Sequence, residues 1–117
     1  MDIDKKEAQM GTIPADVFLI RSGGKFKADP PRQKVHPVTR DQLCIRNLTG
    51  SEVVVWFPRR FLVGSPAAEV YTLHPDETRC FSVAAETLAG VYPYGAYVVD
   101  AREFVEGNTP PDIIIDK

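Results

Sequence analysis

The sequence predicts a single all-β domain folded as a Greek-key β-sandwich of about seven to eight short strands. Short apolar runs with a period of two recur along its 117 residues. Ten prolines and eight glycines fall mostly between these runs, where turns are expected. The length has room for one hydrophobic core. We therefore expect one sandwich over residues 16–117, preceded by a flexible N-terminal tail over residues 1–15.

Each predicted strand is a short apolar or alternating run bounded by turn residues. In the segment 41–47, for example, Leu43 and Ile45 share one face and Cys44 the other. Pro93 is expected to interrupt the strand that contains it, because proline cannot donate a ladder hydrogen bond. One helical turn is predicted over 101–107. The predicted strands are 17–20, 25–27, 41–47, 52–57, 70–74, 79–83, 90–100 and 112–116.

The charge and the apolar pattern exclude several classes of partner. A net charge of −2 provides no basic patch for nucleic acid. The first residues lack the apolar stretch of a secretory signal, and no run is long enough to span a membrane. We therefore expect a cytoplasmic protein that binds neither nucleic acid nor a membrane. The only two cysteines, Cys44 and Cys80, are then expected to be reduced thiols.

Four segments, taken in chain order, resemble the latter half of the cupredoxin fold. They are a strand ending at Asn47, a strand running into Phe57-Pro58, a Thr-x-x-Phe-x-Val strand over 78–83, and Gly-x-Tyr-x-Tyr over 90–94. The resemblance covers residues 41–100 and implies a cupredoxin-like sandwich. It also implies that the strands carrying Cys44 and Cys80 are neighbours in one sheet.

The copper ligands implied by the resemblance are missing. The first histidine should follow Phe-Pro, where this chain has Arg59. The thiolate should stand at Ala96 and the second histidine at Val99, and no methionine follows. Blue copper needs a thiolate and two imidazoles, which these residues cannot supply. We expect no metal, no cofactor and no catalytic residues, and therefore a protein that is not an enzyme.

A protein-binding role is the first hypothesis, and self-association is included in it. Trp56 is predicted on the outer face of its strand, and the resemblance implies that the end of the sandwich that would hold copper also serves for docking. Tryptophan, tyrosine and arginine dominate binding energy at protein interfaces. The predicted partner-binding residues are Trp56, Arg59, Arg60, Phe61, Pro93 and Tyr94.

Two alternatives belong to other functional classes. Arg59 and Arg60 could hold a carboxylate or phosphate in the vacated pocket, which would make the domain an anion or small-molecule binder. Cys44 and Cys80 both face away from the predicted core and could form a redox pair across neighbouring strands. Two unrelated surface thiols are the simpler alternative in a reducing compartment.

Overall fold

The computed structural model describes residues 15–37, 42–57 and 69–116. These residues form an all-β fold consistent with a small β-sandwich, which confirms the predicted class. The predicted tail over residues 1–15 lies almost entirely outside the described residues. Within them the strands are β1 (Val17–Ser22), β2 (Lys25–Asp29), β3 (Arg32–Val35), β4 (Gln42–Asn47), β5 (Val53–Phe57), β6 (Glu69–Leu73), β7 (Thr78–Ser82), β8 (Gly90–Pro93), β9 (Gly95–Val98), β10 (Glu103–Phe104) and β11 (Asp112–Ile115).

One four-stranded sheet has the order β2-β1-β4-β7. β1 and β2 form an antiparallel hairpin through Gly23 and Gly24, which both have positive φ angles that glycine adopts without a steric cost. β1 runs parallel to β4, and β4 pairs with β7 in antiparallel register. The strands that carry the two cysteines are therefore neighbours, as the resemblance implies.

The other strands form two sheets that meet along residues 90–98. β8 pairs with β11, which also pairs with β3. β9 pairs with β5, and the order of that sheet is β10-β9-β5-β6. Only Tyr94 separates β8 from β9. The predicted strand over 90–100 is therefore interrupted directly after Pro93, where the proline is expected to break the hydrogen-bond ladder. The predicted helical turn over 101–107 is wrong, because this segment forms β10 and tight turns with positive φ at Arg102 and Glu106.

One cluster of buried apolar side chains forms the core between the sheets. The predicted alternation places its members correctly, since Leu43 and Ile45 on β4 and Val53 and Val55 on β5 are fully buried. Burying a side chain of this kind contributes about 1.5 to 3 kcal/mol to folding. The largest fully buried side chains are Tyr94, Phe57, Leu19, Leu43, Ile45, Leu73, Ile113 and Ile115, together with Val17, Val53 and Val55.

Glu106 covers the outer edge of β2. Its backbone N–H donates to the carbonyl oxygen of Phe26 at 2.9 Å. Its carboxylate accepts a hydrogen bond from the backbone N–H of Ala28, also at 2.9 Å. One residue therefore pairs two backbone groups of an edge strand that would otherwise be open to another chain.

Candidate interaction face

Trp56 lies on the outer side of β5. Its neighbours Val55 and Phe57 are buried in the core while Trp56 is half-buried, as the alternation of a strand requires. The indole packs over the backbone of Gly95, its register partner on β9. A Cβ on residue 95 would overlap the Cζ2, Cε2 and Cη2 atoms of the indole. Glycine is therefore required there for the ring to lie against the sheet.

Two further aromatic rings stand near Trp56 on this side of the sheet. The ring centroids of Trp56 and Phe104 are 5.8 Å apart in an edge-to-face arrangement. Those of Tyr97 and Phe104 are 5.0 Å apart, also edge to face. Such pairs contribute about 0.5 to 1.5 kcal/mol beyond the area they bury. Phe104 therefore links Trp56 and Tyr97 into one cluster of three rings.

The outer side of the β10-β9-β5-β6 sheet is apolar along neighbouring strands. Val70 is the register partner of Trp56, Val54 is that of Tyr97, and Tyr97 pairs with Phe104. Val70 is 62% exposed and Phe104 is 49% exposed. The solvent side of an antiparallel sheet usually carries polar residues. We call Val54, Trp56, Val70, Tyr97 and Phe104 the aromatic face.

A cleft of about 320 Å³ opens at the edge of the aromatic face. Trp56 and Phe104 form one part of its wall, and Pro110 and Pro111 form another. This volume lies at the lower end of the range for ligand pockets. The cleft gives the face a concave part that is large enough to receive an apolar side chain.

Tyr94 was predicted at the interface, but the structure places it in the core. It is 1% exposed, and its ring packs against Phe57 with centroids 5.8 Å apart. Its hydroxyl is buried and has no hydrogen-bond partner among the described residues. Tyr94 is therefore a core residue that also lines the cleft, and its binding role stays a prediction. Pro93 beside it is exposed.

Tyr94→Phe is expected to make the protein more resistant to alkaline pH. Burial, followed by the carboxylates of Glu106 and Asp112, raises the pKa of Tyr94 above its ordinary value of 10.0. The folded state therefore keeps the phenol neutral at a pH where the unfolded chain releases the proton. Stability is fully present below about pH 10 and falls by about 1.4 kcal/mol for each pH unit above it. The substitution should remove this loss and leave stability at neutral pH unchanged or higher.

Urea unfolding of the wild type and Tyr94→Phe, near pH 7 and near pH 11, measures this effect. Tyr97→Phe is the matched control, because it removes a hydroxyl from the outer face and should leave the alkaline loss of the wild type in place. An equal alkaline loss in the wild type and Tyr94→Phe would contradict the assignment to Tyr94.

Arg59, Arg60 and Phe61 lie outside the described residues, so their role stays a prediction. Their position at the end that would hold copper stays a prediction as well, since the described part of this segment ends at Phe57. Val99, the implied site of a histidine, donates its N–H to the carbonyl oxygen of Glu52, just before the start of β5.

Asn47 organises the end of the molecule at which β5 begins. Its side chain is fully buried and joins the turn after β4 to the residues that follow β6. Two exposed contacts surround it: His74 Nδ1 lies 3.1 Å from the Glu52 carboxylate, and the Ser51 hydroxyl donates to Asp100 at 2.7 Å. The sequence predicts Asn47 at the end of a strand and before a turn, a position that favours side-chain hydrogen bonds to the backbone, but it does not indicate the distant carbonyl groups of Leu73 and His74.

Cys44 and Cys80 are register partners on β4 and β7 and form a disulfide. The two thiols are therefore not unrelated, and the expected reduced state is not the one in the structure. Cys44 points away from the core as predicted, yet it is only 5% exposed. Cys80 is half-buried.

In the described parts of the chain, no three histidine, cysteine, aspartate or glutamate side chains are grouped closely enough to hold a metal ion. No helix there is long and apolar enough to cross a membrane. The chain matches no protein-family model and no curated protein sequence.

Proposed function

We propose that this chain is a copper-free, cupredoxin-like module that binds another protein through the aromatic face. The neighbouring positions of β4 and β7 and the antiparallel pairing of β5 with β9 support the cupredoxin-like arrangement. No step of the proposal requires a metal or a catalytic residue.

The observation that carries the proposal is a cluster of aromatic rings, with Phe104 exposed and Trp56 and Tyr97 half-buried, on the side of a sheet that is normally polar. Contiguous exposed apolar surface marks interaction sites in soluble proteins. Tryptophan and tyrosine bury large areas at a low cost in conformational entropy. Trp56 and Tyr97 are already held by Phe104, so a partner that covers them has few rotamers left to fix.

Phe104→Glu is expected to weaken partner binding by about tenfold or more, because it places a charge in the centre of the contact. Leu88→Glu is the matched control, since Leu88 is 76% exposed and lies outside the aromatic face. A partner recovered with the wild type from host lysate is identified by mass spectrometry, and its affinity for each purified variant is measured by calorimetry. Sedimentation of the protein alone tests whether the partner is a second copy.

Equal affinity of Phe104→Glu and the wild type for the identified partner would contradict the proposed face. An Arg59→Glu/Arg60→Glu variant is included as a further arm. If only that variant loses the partner, the arginines carry the interaction and the aromatic face does not. If the chain is monomeric and recovers no partner at all, the binding role itself fails.

A further inference from the structure

The Cys44–Cys80 disulfide joins a central strand to an edge strand. β4 has neighbours on both sides, β1 and β7, whereas β7 is the last strand of its sheet among the described residues. The two cysteines stand opposite each other, with Cα atoms 4.0 Å apart. The bond therefore crosses the outer side of the sheet from an inner position to its rim.

The two cysteine residues differ in exposure. Cys44 is 5% exposed, and both its N–H and its carbonyl oxygen are paired with Asp16 at 2.8 Å. Cys80 lies on β7 with a larger exposed fraction. Thiol–disulfide exchange depends on which sulfur an attacking thiolate can reach. Accessibility favours attack at Cys80.

The direction of attack favours the same sulfur. A thiolate approaches along the line of the S–S bond, from the side opposite the sulfur that leaves. Cys44 lies on the inner neighbour of β7, so the side of Cys80 opposite Cys44 faces the edge of the sheet. The side of Cys44 opposite Cys80 faces β1, beside Asp16 and the half-buried Phe18. The path to Cys80 is therefore the open one.

Two charged residues lie near Cys44 in the sheet, Arg46 on the same strand and Asp16 on the neighbouring segment before β1. Arg46 is two residues beyond Cys44 on the same face of β4, and its Nε is buried with no hydrogen-bond partner among the described residues. A nearby guanidinium stabilises a thiolate, and a more stable thiolate is a better leaving group. The carboxylate of Asp16 acts in the opposite sense, but it already accepts the N–H of Cys44.

We propose that the disulfide is an exchange site for small thiols, in which Cys80 is the sulfur attacked and Arg46 stabilises the departing thiolate of Cys44. A thiolate forms a new S–S bond to Cys80 while the Cys44–Cys80 bond breaks, and its electron pair goes to Cys44, which then takes a proton. A second thiol attacks the mixed disulfide and releases Cys80 as a thiol. Two thiols are oxidised to one disulfide, and the protein gains two electrons and two protons. This role is independent of the aromatic face.

Reaction of the native wild-type protein with reduced glutathione tests the choice of sulfur. The reaction is quenched with iodoacetamide and digested with trypsin, which separates Cys44 in peptide 41–46 from Cys80 in peptide 80–102. We expect glutathione on the Cys80 peptide in at least about tenfold excess over the Cys44 peptide. Equal labelling of the two peptides, an excess on Cys44, or no reaction without denaturant would overturn the proposal.

Variants at position 46 test the role of Arg46. Arg46→Gln should slow the first exchange step by about threefold to tenfold, while Arg46→Lys should keep most of the rate because it keeps the charge. Each variant is compared after its oxidised form shows the circular dichroism spectrum of the wild type. Equal exchange rates for the Arg46→Gln and Arg46→Lys variants would show that the charge of Arg46 does not act on the departing thiolate. The assignment of Arg46 would then be wrong.

Discussion

Asn47→Ala is expected to lower the free energy of unfolding by about 3 to 5 kcal/mol, a large part of the stability of a small domain. The Asn47 side chain amide donates to the carbonyl oxygens of Ser51 at 2.7 Å, Leu73 at 3.1 Å and His74 at 3.2 Å. Its carbonyl oxygen accepts from the N–H and the hydroxyl of Thr49. Alanine would remove all of these bonds and leave the carbonyl of Leu73 buried without this donor.

Urea unfolding followed by circular dichroism measures this loss. Asn108→Ala is the matched control, because Asn108 is the only other asparagine and is exposed, so its change should stay within about 0.5 kcal/mol. Asn47→Asp keeps the acceptor oxygen but cannot donate, and it should cost as much as alanine. A loss below about 1 kcal/mol for Asn47→Ala would show that the network contributes little to stability.

Gly95→Ala is expected to cost about 2 to 4 kcal/mol, because the new methyl group overlaps the Trp56 ring. The backbone of β9 is held by β5 on one side and β10 on the other, so the strand cannot move away easily. The indole must lift from the sheet, and its contact with Phe104 is then lost. The aromatic face should lose its order even where the protein stays folded.

Trp56 is the only tryptophan, so its fluorescence reports this displacement directly. We expect a shift of the emission to longer wavelength in folded Gly95→Ala, since the ring becomes more exposed to water. A double-mutant cycle with Trp56→Leu separates this effect from backbone strain. Gly95→Ala should cost at least about 1 kcal/mol less in the Trp56→Leu background. Equal costs in the two backgrounds would mean that Gly95 acts through something other than the indole.

The sequence predicts the core of this protein well because the period-two pattern is a local property. Five side chains that the pattern predicts to face the core are buried in the structure: Leu43, Ile45, Val53, Val55 and Phe57. The Trp56 side chain points away from the core both in the sequence prediction and in the structure. Each assignment needs only the residues of one strand, since neighbouring side chains point to opposite faces.

The errors concern contacts between segments that are distant in the chain. Cys44 points outward as the pattern predicts, but the pattern cannot tell whether an outward residue is covered. The hydrogen bond from Ala28 to Glu106 joins residues 78 positions apart, and nothing local indicates it. Phe104 completes the aromatic face from a segment whose predicted helical turn is wrong. Tyr94 lies beside the end of β5 at Phe57, where the resemblance puts it, but its ring is buried in the core against Phe57, a contact between two segments that are distant in the chain.

Glu106 also constrains when the fold can be completed during synthesis. The β1–β2 hairpin leaves the ribosome about eighty residues before its covering residue does, and β3 must wait for β11, almost at the end of the described chain. Every nascent chain that ends before Glu106 therefore carries β2 with an open edge, the kind of surface that joins to other chains. The edge of β2 is covered only after Glu106 has left the ribosome, so the growing chain needs protection from association until that point.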